Sequence, residues 1–175
     1  METKNQKTIV CPYLPTEGII DYVPESNAFM MAAKDQARKS NDHNTPTGAV
    51  IVSDGKIVSG EHNKAPISNP KLINLHKKYC IRKIFGIPSG HKYWLCPGCA
   101  TNSSHAEYRV VLNLQKQGIN NLNNPELYLW GHWWCCEPCW NKMMELGIKK
   151  VFLVEDSELL FERSSPSNII GKQFA

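Results

Sequence analysis

A chain of 175 residues is long enough to bury a substantial core, and we expect residues 1–175 to form a single domain. With 42% hydrophobic and 21% charged residues, its composition is that of an ordinary globular protein. The formal charge of +4 suits a phosphorylated substrate or nucleic acid and decides for neither. No apolar run approaches the roughly 20 residues of a membrane span, and the polar start from Met1 to Thr8 is unlike a signal peptide, so we expect a cytoplasmic protein with no membrane partner.

The first part of the chain predicts one helix and a β-hairpin. Residues 1–23 show no sustained period and are predicted to be irregular. Helix formers with apolar side chains on one side predict a helix over residues 25–40, ended by the polar residues 41–44. Asp54-Gly55 is a strong hairpin signal, and the residues on either side of it predict two antiparallel strands. These strands cover residues 47–52 and 56–60.

Residues 66–103 interrupt this plan with four prolines and a basic stretch. A structureless loop of this length is unusual in a compact domain, so we expect something to order it. The spacing of Cys96-Pro-Gly-Cys99 is that of a zinc knuckle, and His76 and Cys80 share one face if residues 72–83 are helical. We therefore predict a closed structural zinc site in this insertion. Its ligands are Cys80, Cys96, Cys99 and one of His76 or His91.

Other interpretations of the insertion stay open. The cysteines can instead form a free dithiol or be simply buried. The basic residues can hold a phosphate by charge and donor geometry, or form a solvated charged face. These basic residues include Lys71, Lys77, Lys78, Arg82 and Lys83.

The second half of the chain alternates helices and strands. Glu126–Trp130 is rich in β-formers, and Lys150–Val154 is a nearly continuous apolar run of the kind buried in parallel sheets. Helices are predicted over residues 105–117 and 137–146. The residues from Ser164 onward are predicted to be weakly ordered.

Two short motifs in this half contain the residue types of a catalytic zinc site, namely Ser104-His105-Ala106-Glu107 and Cys136-Glu137-Pro138-Cys139. One histidine and a C-x-x-C pair supply three ligands and leave a fourth position open for water. Glu107, two residues after the histidine, can take a proton from that water and hand it to a leaving amine. Ser104 and Glu107 also fit a capping box, and both roles can coexist at a helix start.

The pattern H-x-E followed by C-x-x-C resembles the zinc-dependent cytidine and deoxycytidylate deaminase superfamily, with the loop 63–66 most similar to deoxycytidylate deaminases. That superfamily usually has proline before the first cysteine, where this chain has Cys135, a less favoured substitute ligand. The resemblance covers roughly residues 25–65 and 104–156. It implies an α/β fold, in which helices cover both faces of a mixed, roughly five-stranded sheet in a three-layer α/β/α arrangement. Both metal-binding motifs are expected at helix starts on one edge of that sheet.

The resemblance also implies an activity, the hydrolytic deamination of a cytosine nucleotide, with dCMP converted to dUMP and ammonia as the first choice. The implied catalytic zinc is held by His105, Cys136 and Cys139, with the insertion's structural zinc as a second ion, and Glu107 is the implied proton shuttle. The implied partners are a small-molecule nucleotide and further copies of the chain in a homo-oligomer.

Four residues are candidates for substrate contact. By resemblance, Asn63 touches the sugar or base, and backbone near Ala49 lies against the base. Trp133 and Trp134 can wall the base, because nucleobases stack on aromatic faces. Asn63 also fits an ordinary turn residue, and the two tryptophans also fit core packing.

Two alternative functions remain at this stage. The first is deamination of adenosine or cytidine in RNA, or of another free nucleoside or base, because the motif fixes the chemistry and not the ring. The second is a non-catalytic zinc-ribbon-like module in which Cys96, Cys99, Cys136 and Cys139 share one ion. The 36 residues between those two pairs exceed the usual ribbon spacing of about 15–20, and His105 and Glu107 would then have no role.

Overall fold

The computed structural model describes residues 10–42, 45–88 and 91–175, and its centre is a five-stranded sheet. The strands are Ile19–Val23 (β1), Gly48–Ser53 (β2), Lys56–His62 (β3), Glu126–Trp130 (β4) and Lys150–Val154 (β5). They lie in the order β1-β5-β4-β2-β3. Strand β5 is parallel to β1 and β4, whereas β2 is antiparallel to β3 and β4, so the sheet is mixed as the sequence predicts.

In the described part of the chain, helices lie between the strands and after the last one. The α-helices are Ala28–Ala37 (α1), Pro70–Tyr79 (α2), Ile81–Ile84 (α3), Ala106–Lys116 (α4), Glu137–Met144 (α5) and Ser157–Phe161 (α6). Short 3₁₀ turns cover Tyr93–Leu95 and Asn102–Ser104. Within the described residues, no helix has the length and apolar character needed to cross a membrane.

Each face of the sheet has its own hydrophobic core. Along β2, Ala49 and Ile51 join the core that contains residues of α4 and α5, whereas Val50 and Val52 join the core that contains residues of α1 and α6. Both sets of side chains are buried because helices cover both faces, which explains why β2 is apolar without alternation. The three-layer α/β/α arrangement is confirmed.

Two local features fix β2 in place. Asp54 and Gly55 both have positive φ, 49° and 72°, which is the backbone that joins two-residue hairpins, and the predicted hairpin is confirmed. At the start of β2, a Cβ on Gly48 would lie 2.1 Å from the carbonyl oxygen of Ala33 and 2.3 Å from the backbone nitrogen of Ala37. Glycine at this position is therefore what allows the backbone of α1 to lie against β2.

The start of the chain corrects two sequence-based predictions. Strand β1 lies inside the segment 1–23, which was predicted to be irregular, and it is held by parallel pairing with β5. Helix α1 begins at Ala28 and not at residue 25, because the side chain of Asn27 accepts hydrogen bonds from the backbone of the first turn. The polar start from Met1 to Thr8 and residues 43–44 of the predicted helix stop lie outside the described residues.

The end of the chain also differs from its prediction. Helix α6 was not predicted, and the segment after Ser164, which was predicted to be weakly ordered, contains turns and neither helix nor strand. Gln173 is buried, and the ring of Phe174 stacks on Trp130 with 5.1 Å between the ring centroids. Phe174 therefore packs against the end of β4.

The insertion is ordered by short helices. The predicted helix over residues 72–83 is interrupted at Cys80, whose extended backbone (φ −63°, ψ 112°) separates α2 from α3. Helix α2 begins at Pro70 because the Asn69 side chain accepts from the backbone N–H of Lys71 at 2.9 Å. None of its residues is buried, so α2 is held by contacts other than a packed apolar face.

Candidate metal centre and adjoining cavity

The N-termini of α4 and α5 bring one histidine and two cysteines together. His105 is the N-cap of α4, Cys136 is the N-cap of α5, and Cys139 lies in the first turn of α5. The Nδ1 atom of His105 lies 3.6 Å from Cys136 Sγ and 3.5 Å from Cys139 Sγ. Nitrogen and sulfur ligands of a tetrahedral zinc ion stand about 3.5 Å apart, given bonds of about 2.0 and 2.3 Å. The three donors therefore fit one tetrahedral ion with a fourth corner free.

Cys136 has the negative charge that a metal ligand needs. A hydrogen bond from the Cys139 thiol, together with the nearby His105, lowers the pKa of Cys136 to about 4. The thiolate, and not the thiol, is the form that binds metals. The positive end of the α5 dipole adds to this preference, because Cys136 caps that helix.

The structure supports neither of the two other roles considered for these motifs, the capping box and a metal-binding Cys135. The capping box is absent, because His105 and not Ser104 caps α4, and it does so without a side-chain hydrogen bond. Cys135, the substitute ligand, is fully buried. It is not one of the donors that converge with His105.

Glu107 lies in the first turn of α4 and lines the same cavity as the metal-binding donors. Only 4% of the residue is exposed, and burial raises the pKa of its carboxyl group against the opposing effect of His105. A raised pKa makes a carboxylate a better proton acceptor than an exposed glutamate. This position and environment are those of an acid–base group beside a metal.

A cavity of about 660 Å³ opens in front of these donors. Sites for small molecules have volumes of about 300–1,000 Å³, so the cavity can hold a nucleotide-sized ligand. Besides Pro12 and the start of α4, the lining includes the loop before β2, the insertion, the segment between β4 and α5, and the segment after α6.

The segment between β4 and α5 forms an aromatic wall. Trp133 and Trp134 both line the cavity, with 6.3 Å between their ring centroids. His132 Nδ1 accepts hydrogen bonds from their backbone N–H groups at 3.1 and 3.3 Å. Desolvation lowers the pKa of His132 to about 4, so the ring is neutral at pH 7 and carries its proton on Nε2.

Asn63 lines the cavity, but its side chain is fully engaged in the loop before β2. Its Oδ1 accepts from the Thr47 N–H at 2.9 Å and from Ser40 Oγ at 2.6 Å. Its Nδ2 donates to the Thr45 carbonyl at 2.9 Å and to Asp42 at 3.2 Å. The Asn63 carboxamide therefore ties the loop to the end of β3.

Ala49, the other candidate taken from the resemblance, lies inside the protein. It is fully buried in the core that β2 shares with α4, and it is not among the residues that line the cavity. Along the sequence, the cavity-lining residues nearest to Ala49 are Thr47 before it and Asn63, which follows the hairpin.

A second group of donors lies in the insertion, on another wall of the same cavity. His76, Cys80, Cys96 and Cys99 each place a donor atom within 4.8 Å of all the others. Cys99 Sγ lies 3.4 Å from both Cys80 Sγ and His76 Nε2, and Cys80 Sγ lies 4.0 Å from Cys96 Sγ. Four converging nitrogen and sulfur donors match a closed structural zinc site.

The composition of the two groups decides between alternatives left open by the sequence. His91 is exposed and is not part of either group, so His76 completes the second one. Cys96 and Cys99 lie in one group, whereas Cys136 and Cys139 lie in the other. The single four-cysteine site of the zinc-ribbon alternative is therefore not formed.

Among the cavity residues that the sequence analysis did not single out, two bear directly on the site. The Tyr93 hydroxyl lies 3.1 Å from Nε2 of His105, and Arg163 reaches the cavity from the segment after α6. Neither residue belongs to a sequence motif or lies at a fixed distance along the chain from the two metal-binding motifs, so a sequence pattern could not identify it.

Residues 24–155 match the family model described as the cytidine and deoxycytidylate deaminase zinc-binding region. Among solved structures, the chain is similar to the apo dCMP deaminase of cyanophage S-TIM5 (22% identity, 74% of this chain and 83% of that one, TM-score 0.44). It is also similar to guanine deaminase from Bacillus subtilis (19%, 73% and 62%, TM-score 0.41). A further match comes from a structural study of tRNA:A34 deaminases (18%, 75% and 78%, TM-score 0.43). No curated protein sequence matches the chain.

Proposed function

The chain belongs to the family of zinc-binding cytidine and deoxycytidylate deaminases, and from that premise we propose that it deaminates a cytosine nucleotide, dCMP first. Water and dCMP would yield dUMP and ammonia. The observation that carries this proposal is the convergence of His105, Cys136 and Cys139 with the buried Glu107 on one nucleotide-sized cavity.

His105, Cys136 and Cys139 would hold the catalytic zinc, which supplies the Lewis acidity that makes water a nucleophile near neutral pH. Glu107 moves the protons of the reaction. Its carboxylate takes a proton from the attacking water and gives it to the ring nitrogen next to the amino-bearing carbon. It then takes the remaining proton of the added water and passes it to the amino group, and the C–N bond breaks as the new carbonyl forms, so that ammonia leaves. Burial of Glu107 supports this role, because it raises the pKa of the carboxyl group and so makes it a better proton acceptor than an exposed glutamate.

We propose that the base is held by the segment between β4 and α5. Trp133 and Trp134 offer aromatic faces, and His132 offers an Nε2–H donor. Asn63 and the backbone near Ala49 stay part of the proposal as contacts of the sugar and base. The Asn63 carboxamide is hydrogen-bonded within the loop and the Ala49 side chain is buried, so both residues also set the position of the cavity wall between β2 and β3.

We propose that a 5′-phosphate is held on the basic side of the cavity. Residues 62–106 contain six lysines and one arginine and not a single acidic residue. Lys83 from this segment and Arg163 from the segment after α6 both line the cavity. Cationic side chains on two walls favour a ligand that carries phosphate over the corresponding nucleoside.

We also propose a structural zinc ion on His76, Cys80, Cys96 and Cys99. Burial lowers the pKa of His76, which keeps its ring in the neutral form that binds metals. All four donors come from the acid-free insertion, and α2 within it has no buried residue, so an ion would supply the order that packing does not. Assembly as a homo-oligomer, which the resemblance implies, belongs to the same proposal.

The test is a panel of substrates at equal concentration with the zinc-loaded protein: dCMP, CMP, deoxycytidine, cytidine, adenosine, guanine and an RNA stem-loop with unpaired C and A. We expect ammonia and the uracil product from dCMP at the highest kcat/KM. Activity confined to guanine, adenosine or the stem-loop would replace the proposed substrate with another member of the panel. The stem-loop is included because Phe85 and Trp94 are exposed on the basic insertion, and such rings can stack on unpaired bases.

A further inference from the structure

We propose that Tyr93 is a positioning residue for the metal-binding His105, and that Arg82 holds Tyr93 in place. The insertion would thereby reach into the catalytic centre and set the orientation of one of its ligands. This inference rests on the proposed function, because it takes His105 as a ligand of the catalytic zinc. It goes beyond that function because it gives two residues of the insertion a part in orienting a ligand of the catalytic site.

The first step is the geometry around the imidazole of His105. Its Nδ1 faces Cys136 and Cys139, so its Nε2 points away from the metal-binding donors. On that side the Tyr93 hydroxyl oxygen lies 3.1 Å from Nε2, and the two rings meet edge to face at 89° with centroids 5.6 Å apart. An imidazole that binds a metal through Nδ1 carries its proton on Nε2, so this N–H donates and the Tyr93 oxygen accepts.

The second step is the support of Tyr93 by a buried cation. Arg82 is only 8% exposed, and its guanidinium carbon lies 4.1 Å from the centroid of the Tyr93 ring. Arg82 Nε donates to the carbonyl of His91 at 2.9 Å, and Nη2 donates to the carbonyl of Pro88 at 2.6 Å. A buried guanidinium with these partners has little freedom, and its planar face fixes the Tyr93 ring by cation–π attraction.

The third step is the connection to the second group of donors. Arg82 follows Cys80 by two residues, and Tyr93 precedes Cys96 by three. Both residues are therefore tethered by short stretches of chain to cysteines of the closed site. Residues that orient a metal-binding histidine through its second nitrogen are typically worth about 10–100-fold in metal affinity or activity.

The test uses Tyr93→Phe, which keeps the ring on Arg82 and removes only the oxygen that accepts from His105. The matched control is Tyr79→Phe, which removes a hydroxyl from an exposed tyrosine of the same insertion. Zinc affinity is measured by competition with a chromogenic chelator. His105→Ala identifies which step of the titration belongs to the catalytic site.

We expect Tyr93→Phe to weaken the step that His105→Ala abolishes by about 10–100-fold, while any other step and the Tyr79→Phe protein stay unchanged. In ¹⁵N-histidine-labelled, zinc-loaded protein, the Nε2 proton of His105 should exchange with water faster in Tyr93→Phe than in the wild type. Unchanged affinity, within twofold, or an unchanged exchange rate would overturn the inference.

These readouts do not depend on any substrate. If the substrate panel shows no deamination of cytosine compounds but Tyr93→Phe loosens the metal, the proposed function fails and the positioning role stands. If dCMP is deaminated and Tyr93→Phe binds zinc as the wild type does, the positioning role fails and the function stands.

Discussion

The guanidinium of Arg109 lies 2.8 Å from the carboxylate of Glu61, and this ion pair joins the beginning of α4 to the end of β3. Arg109 Nε also donates to the carbonyl of His62 at 2.8 Å. Because His105 and Glu107 lie at the start of α4, the pair fixes both functional side chains relative to the sheet.

Replacing Arg109 with Gln should therefore reduce both stability and zinc retention. Loss of charge-assisted hydrogen bonds in a part-buried place is expected to lower the free energy of unfolding by about 1–3 kcal/mol. Urea unfolding measures the change, with Lys116→Gln at the exposed end of α4 as the control. An Arg109→Gln protein as stable as that control would show that α4 is held by its apolar contacts alone.

Glu107→Gln should remove catalysis and keep the metal. The amide preserves the size and burial of the side chain but cannot carry the proton, and acid–base groups typically contribute about 10²–10⁴-fold. Ammonia release and zinc content are measured on the same sample, beside the exposed Glu155→Gln. Full turnover in Glu107→Gln would remove it from the mechanism, and loss of folding would point to a structural role.

The double substitution of Cys96 and Cys99 by serine should release about one zinc ion per chain. The ion at His105 should remain, and residues 66–103 should become more accessible to protease, because a closed site contributes folding free energy to the segment that it ties. Cys11→Ser is the control, since Cys11 belongs to neither group of donors. Equal zinc content in the double variant and the control would rule out the second site.

Lys83→Ala and Arg163→Ala should each raise the KM for dCMP, by about tenfold or about 1.4 kcal/mol, and leave the KM for deoxycytidine unchanged. The wild-type preference for dCMP over deoxycytidine should shrink as salt is added, because both side chains are exposed and screened. The exposed Lys56→Ala serves as the control for loss of a charge. Equal rates on nucleotide and nucleoside in the wild type would show that the basic wall serves another ligand.

His132 should make the fold sensitive to acid. Its folded pKa of about 4 lies below the ordinary value of 6.5, so the unfolded chain binds a proton more readily between these values, and stability falls as the pH drops from 6.5 toward 4. His132→Asn can still accept from the Trp134 N–H and should lessen that fall by about 2–3 kcal/mol. Denaturant midpoints across this range measure it, with the exposed His91→Asn for comparison. Parallel curves for wild type and His132→Asn would contradict the assignment.

Much of the fold follows from local sequence signals. The ends of β4 and β5 agree with the prediction, because each strand is a short run of β-formers bounded by polar or turn residues. The hairpin agrees because Asp54-Gly55 determines its turn. The convergence of His105 with the C-x-x-C pair was also predictable, since residue type and spacing reflect what a metal requires.

Contacts between distant parts of the chain were not predictable in this way. Strand β1 was missed although Ile19–Val23 is rich in β-formers, and the pairing of Ile20 with Val151, far along the chain, has no local signal. Phe174 stacks on Trp130, and Tyr93 meets His105, only after the sheet and the insertion have folded. The break at Cys80 is also tertiary, because it turns the sulfur toward the other donors of its group.

The saturation of Asn63 has a consequence for anyone who wants to redesign this protein for another substrate. A library at Asn63 would strip partners from Ser40, Thr45 and Thr47 at once, so most of its members would lose the loop before they could change selectivity. The exposed side chains of Lys83 and Arg163 can be exchanged without such a cascade. Directed evolution should therefore vary Lys83 and Arg163 and leave Asn63 unchanged, because the Asn63 carboxamide holds the loop before β2.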